Sequence, residues 1–228
     1  GKALNILEQL TQQIPISTIY WNRCYEPLTI ERDKAIKSFM LQSGVDVKSS
    51  NGSLLSEPWT VHNKSGHYFK VFTPYWKHCL QTITIPNAMR IVHPAKAYPV
   101  QSERLEEWKL LPKNPNWASS FTTHWQPGEE GAQKKLTDFI HHRLNNYKTH
   151  RDMLTDNATS ELSPHLHFGE ISPWNIWRAV ELEKSDRTLN LSSTESFLAE
   201  LGWREFSYHL LYHFPSLPHE NFKEKFSN

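Results

Sequence analysis

The strongest constraint in this sequence is where its strand signals stop. The last strand read from the pattern is Val45–Val47, and from Glu129 onward the chain carries only helical spacing. Before that stop, helix and strand patterns alternate. Leu4, Leu7 and Leu10 recur at helical spacing ahead of Pro15, and the β-branched and aromatic run Ile16–Trp21 predicts a buried strand. A second helix is expected from Thr29 to Leu41, with Ile36, Phe39 and Met40 on one face and Gly44 as its stop. Helix, strand, helix, strand is the order of a parallel α/β sheet with crossover helices. Thr73-Pro74 then offers an N-cap with proline at the first helical position, which predicts a short helix through Leu80.

Between Pro86 and Gly128 periodicity fades and prolines recur, at Pro94, Pro99, Pro112, Pro115 and Pro127. This reads as a linker. Its Trp108, Trp117 and Trp125 argue for a strap packed against both flanking regions, since a free tether gains nothing by exposing such rings. Beyond it, Leu136, Phe139, Ile140 and Leu144 predict one helix over Glu130–Tyr147. Ser163-Pro164 and Ser172-Pro173 read as N-caps followed by proline, and Ser192 with Glu195 reads as a capping box. The last helix is expected to end near His213, before Pro215. The expected organisation is therefore α/β plus all-α: an α/β unit over 1–85, a linker over 86–127 and a helical unit over 128–228.

Composition narrows the function classes. A hydrophobic share of 38% suits a chain that buries a core, and 25 Lys plus Arg against 24 Asp plus Glu leave room for a nucleic-acid surface only as a local patch. No apolar run approaches the roughly 18 residues a membrane helix needs, and Gly1-Lys2-Ala3-Leu4 lacks the regions of a signal peptide, so a cytoplasmic protein is expected. Cys24 and Cys79 lack paired spacing and read as free thiols, and the histidines, His165 and His167 included, form no ligand constellation, so no metal site is expected.

Three segments carry chemistry. In Thr159-Ser160-Glu161-Leu162-Ser163-Pro164, hydroxyls precede a helix start, where unpaired N–H groups and the positive dipole end suit a phosphate; a plainly capped helix is the alternative. Phe197, Glu200, Trp203, Arg204 and Ser207 fall at steps of three or four and share one helical face, which suits a cavity for a flat polar ligand. The alternative there is an i,i+4 ion pair between Glu200 and Arg204, with Trp203 in the core. Tyr147 stands four residues before Arg151-Asp152, which by themselves read as a solvated charge pair.

Together these segments resemble the flavin-binding half of the photolyase and cryptochrome family. The string Ala158 to Pro173, with His167-Phe168-Gly169-Glu170-Ile171-Ser172-Pro173, extends the resemblance, as do Trp203-Arg204-Glu205, Tyr20-Trp21-Asn22-Arg23, Glu26, Arg32-Asp33 and Val71-Phe72-Thr73-Pro74. The resemblance implies a remnant of a Rossmann-like antenna domain, a wrapped linker and the start of a helical domain that binds flavin adenine dinucleotide (FAD). It implies that Tyr147, Thr159, Ser160, Leu162 and Ser163 hold the flavin's phosphates and sugars, and that Phe197 and Arg204 line its cavity. Glu200 and Trp203 would be the catalytic pair facing a flipped-out pyrimidine dimer, with Arg151 and Ser207 as further DNA contacts. The activity implied is light-driven repair of cyclobutane pyrimidine dimers by electron transfer from excited, reduced FAD, in a monomer whose partner is damaged DNA.

Two family alternatives stand beside it, a cryptochrome photoreceptor and a photolyase for (6-4) products. Plant-type cryptochromes resemble Gly-Leu-Arg-Glu where this chain has Gly202-Trp203-Arg204-Glu205, which favours repair. Leu28-Thr29 stands where folate-binding members carry Asn-Glu, so a folate antenna is not expected. By the same resemblance the family's opening strands precede Gly1 and the rest of its helical domain follows Asn228. The chain is thus expected to be an internal piece, which in isolation would leave the flavin pocket unclosed.

Overall fold

A computed structural model describes residues 2–86, 98–186 and 189–226. The part of the expected linker at 87–97 lies outside the described residues.

The first unit is small. Helix α1 (Ala3–Gln13) leads into β1 (Thr18–Asn22), α2 (Pro27–Gln42) crosses over, and β2 (Asp46–Ser50) pairs with β1 in parallel, from Thr18 opposite Asp46 to Asn22 opposite Ser50. Both strands begin later than the sequence pattern suggests, because Ile16 and Val45 pack into the core from the turns just before them. That core is Ile36, Met40, Val45 and Val47, flanked by Leu4, Leu7, Ile16, Ile19, Trp21 and Phe39. Gly44 follows α2 at φ +78, a left-handed conformation that glycine adopts without strain and that stops the helix.

The larger core is helical. It is built by α3 (Phe72–Thr82), α5 (Glu129–His142), α6 (Tyr147–His150), α7 (Ser163–His167), α8 (Pro173–Asp186) and α9 (Leu191–His213), with the single turn α4 (Phe121–His124) outside it. Leu136, Phe139, Leu144, Leu162, Ile176, Phe197 and Leu201 are among its buried members. The segment before residue 85 joins this core through Leu55, Val61, Tyr75, Trp76 and Cys79, so α3 packs on α9 and the two units are bound tightly. The contact has a glycine at its centre: a Cβ at Gly202 would stand 2.6 Å from the Trp76 ring.

Several local expectations are corrected. The expected single helix to Tyr147 breaks at Arg143 (φ −121), after which a 3-10 turn, Leu144–Asn146, brings both Leu144 and Tyr147 into the core. Val71, Leu162 and Asn190, rather than Thr73, Ser163 and Ser192, occupy the N-cap positions of α3, α7 and α9. Of these, Asn190 makes a true cap, its Oδ1 accepting the Ser193 N–H at 3.2 Å. Ser172 does cap α8, its Oγ accepting the Asn175 N–H at 3.2 Å. In the linker, Trp125 lies beneath the Lys135 ammonium at 4.7 Å, but Trp108 and Trp117 are more than half exposed. Their neighbours are single turns: Trp117 meets the half-exposed Phe121 edge-on at 5.8 Å, and the Trp108 indole N–H is satisfied locally by Glu103 at 2.6 Å. Among the described residues no helix is long and apolar enough to cross a membrane.

Candidate functional site

Helix α9 is the spine of the site. Thr194, Phe197, Leu198, Leu201, Gly202, Glu205, Phe206 and His209 form its buried stripe, which leaves Glu200 and Trp203 on a flank facing outward. Phe197 packs against Phe139 (4.6 Å between centroids) and edge-on to Tyr147 (5.5 Å). Burial raises the Tyr147 hydroxyl above its ordinary pKa.

The one-turn helix α6 is fastened to α9 at both ends. Lys148 donates from its backbone N–H to Ser193 Oγ (3.3 Å) and from Nζ to Ser192 Oγ (2.7 Å). One turn on, Arg151 Nη1 donates to Glu200 Oε1 in a short ion pair, while its guanidinium lies 5.4 Å from the Tyr147 ring centre. Asp152, the expected partner, is only a loose second contact at 3.5 Å.

The ion pair between Glu200 and Arg204 does not form. Arg204 turns toward the α/β unit, where Nη1 donates to the Ser53 carbonyl (2.7 Å) and meets Glu205 Oε1 (3.0 Å). Trp203 is 46% exposed, and its ring stacks on Phe72 at 3.7 Å and 10°. Ser207 is exposed and donates back to the Trp203 carbonyl at 2.9 Å.

The loop before α7 is held from behind. Arg143 Nη1 donates to the Thr159 carbonyl (3.0 Å), and Lys135 pairs with Glu161 (2.9 Å), whose φ of +54 bends the loop. Leu162 is buried, and Ser160 Oγ accepts the Leu162 N–H at 3.4 Å. The Thr159 and Ser163 side chains are exposed and make no hydrogen bond among the described residues, and no side chain caps α7. Free hydroxyls beside uncapped N–H groups fit a phosphate. The structure thus brings Tyr147, Phe197, Arg151 and Glu200 together, backs Trp203 with Phe72, and commits Arg204 elsewhere.

Two functional-looking groups are given no role by the sequence reading, although Glu205 stands in its Trp203-Arg204-Glu205 motif. Glu205 is 3% exposed, its Oε2 accepting the Leu55 N–H at 2.6 Å, and burial pushes its carboxyl up to about 7. His209 Nε2 accepts the Phe69 N–H at 3.2 Å, and burial pushes it down to about 4. Their signal was positional: both recur with Leu198 and Leu201 on the apolar stripe. At the carboxyl ends of β1 and β2 lies a cleft of about 210 Å³ lined by Arg23, Tyr25, Trp59 and Tyr212 among others, the place where parallel α/β sheets receive ligands.

Residues 1–99 match the family described as DNA photolyase. Over 99% of its length the chain is 41% identical to a deoxyribodipyrimidine photo-lyase of Agrobacterium fabrum, covering 47% of that protein. It is 32% identical to cryptochrome-2 of Arabidopsis thaliana over 86% of its length, covering 34% of that protein. All of the chain superposes on 47% of a bacterial class III photolyase from Agrobacterium tumefaciens, with a TM-score of 0.90 and 41% identity. The chain spans about half the length of the photolyases it matches. Identity sustained through both units, on a fold shared from end to end, makes this chain similar along its whole length to photolyases and cryptochromes.

Proposed function

We propose that this chain supplies the lesion-facing part of a light-driven repair enzyme for cyclobutane pyrimidine dimers in DNA. The observation that carries the reading is Trp203, an exposed indole backed face to face by Phe72 and set one turn from the pinned carboxylate of Glu200. An exposed ring with a rigid back is a stacking platform, worth about 1–3 kcal/mol per stacked base. A dimer is poorly stacked in its duplex, which lowers the cost of extruding it onto such a platform. Glu200 is the hydrogen-bonding partner for a pyrimidine edge, and Arg151 and Ser207 border the same face.

In this reading Tyr147, Thr159, Ser160, Leu162 and Ser163 hold the phosphates and sugars of FAD, and Phe197 forms the wall behind them. Arg204 joins that cavity only by leaving Ser53 and Glu205. When bound, reduced FAD supplies the photoexcited electron. The protein's part is to hold two flat groups close and away from water. An antenna chromophore belongs in the cleft at the strand ends, with folate not favoured. We assign 1–85 to an antenna domain, 86–127 to a linker and 128–228 to the flavin domain of a cytoplasmic monomer that binds damaged DNA.

The likeness to cryptochrome-2 favours a second reading, a blue-light photoreceptor. Illumination of the full protein with dimer-bearing DNA separates the two. Loss of dimers in light and not in darkness supports repair, and flavin binding without any dimer loss supports the photoreceptor.

A further inference from the structure

We propose that Arg151 is a positioning residue that acts on the lesion through Glu200 and is not a phosphate contact of its own. The inference rests on the repair reading and assigns Arg151 a part within it.

The base of Arg151 is rigid. Lys148 ties α6 to Ser192 and Ser193, and Arg151 ties it again to Glu200, about 12 Å further along α9. The guanidinium is only 28% exposed, lies over the Tyr147 ring, and gives Nη1 to Glu200 Oε1. The hydrogen bond it donates to Glu200 holds Arg151 above its ordinary pKa. An arginine committed in this way cannot turn to a phosphate without stranding the carboxylate it holds.

The consequence lies at the other oxygen. Glu200 Oε2 makes no hydrogen bond among the described residues, and Trp203 is one turn further on. With Oε1 pinned, the carboxylate cannot swing, and Oε2 is offered at a fixed place beside the indole. A ring N–H of a pyrimidine stacked on Trp203 is the matching donor. Arg151 thus converts a flexible, 39% exposed glutamate into an oriented acceptor.

The test uses the full protein and compares wild type, Arg151→Ala, Arg151→Gln, Arg151→Lys, Glu200→Gln and the double variant Arg151→Ala/Glu200→Gln. Affinities are measured for dimer-bearing and undamaged duplexes over a range of salt. The expected result is a fall of about tenfold to a hundredfold in preference for dimer DNA in Arg151→Ala and Arg151→Gln. Affinity for undamaged DNA and its salt slope stay unchanged, Arg151→Lys recovers part of the preference, and Arg151→Ala has no further effect when Glu200 is already Gln. An equal loss on both duplexes with the salt slope reduced by about one identifies a phosphate contact and overturns the proposal. So does a wild-type preference that survives in Arg151→Ala, or a full Arg151→Ala effect in the Glu200→Gln background. A wild-type protein with no preference for dimer DNA refutes the repair reading itself, and the proposal with it.

Discussion

Glu205→Gln is predicted to change how stability depends on pH. Glu205 is buried between α9 and the loop after β2, where Arg204 and the Leu55 and Ser56 N–H groups partly offset its desolvation, and Tyr25, Tyr75 and Cys79 lie within its field. Desolvation is the larger effect and raises its pKa from 4.5 to about 7. Between those values the folded protein holds a proton that the unfolded chain has released. Its contribution is therefore fully present below pH 4.5 and is lost as pH rises to 7. At about 1.4 kcal/mol per pH unit this amounts to about 3 kcal/mol.

His209, one turn along α9, works in the opposite sense. Burial lowers it from 6.5 to about 4, so its contribution is present above pH 6.5 and is lost as pH falls to 4, again by about 3 kcal/mol. In the wild type the two slopes oppose each other from pH 4.5 to 6.5. Glu205→Gln leaves the His209 slope alone, and stability should then climb with pH across that window. The assay is urea unfolding of wild type and variant at half-unit steps from pH 4 to 7.5, read as the difference between them; shifts common to both proteins, such as those of Asp46 and Glu170, cancel. The advantage of the wild type over Glu205→Gln should shrink by about 3 kcal/mol between pH 4.5 and 7. A constant difference refutes the reasoning, and a growing one means that the hydrogen bonds to Glu205 outweigh its burial.

Gly202→Ala places a Cβ 2.6 Å from the Trp76 ring, and overpacking of about 1–3 kcal/mol less roughly 1 kcal/mol of helix propensity should lower stability by up to about 2 kcal/mol in urea unfolding. Asn190→Ala removes the cap on Ser193 N–H and should cost about 1 kcal/mol in the same assay, without altering the shape of the pH profile.

The order of elements was legible from residue pattern because it depends on local signals. β-Branched and aromatic runs and Gly44 mark the strands and the end of α2, and the 3.6-residue stripes mark α5 and α9. What escaped depends on contacts distant in sequence. Arg143 breaks the expected helix while its side chain serves the loop at Asn157 and Thr159. Ser192 and Ser163 look like caps by residue type, yet Asn190 takes the first role and Ser192 instead receives Lys148. The spacing of Glu200 and Arg204 suggested a pair, but Arg151 and the Ser53 carbonyl claim the two side chains from opposite sides. Glu205 and His209 escaped because charged residues on a helix ordinarily mark its solvated face. Their place on the buried stripe becomes plain only when residues 55 and 69 are seen packed against it. The loop before α7 and the α9 face were singled out as candidate sites by resemblance joined to spacing, and the structure adds which hydroxyls are free and which charges are already spoken for.

The most direct measurement is the rate of dimer loss from irradiated DNA incubated with the full, flavin-reduced protein under blue and near-ultraviolet light, with a dark control and Trp203→Ala beside the wild type. The repair reading predicts dimers converted back to separate pyrimidines only in light, at a rate that collapses in Trp203→Ala. A flavin-loaded wild-type protein that leaves the dimer count unchanged under light would contradict it.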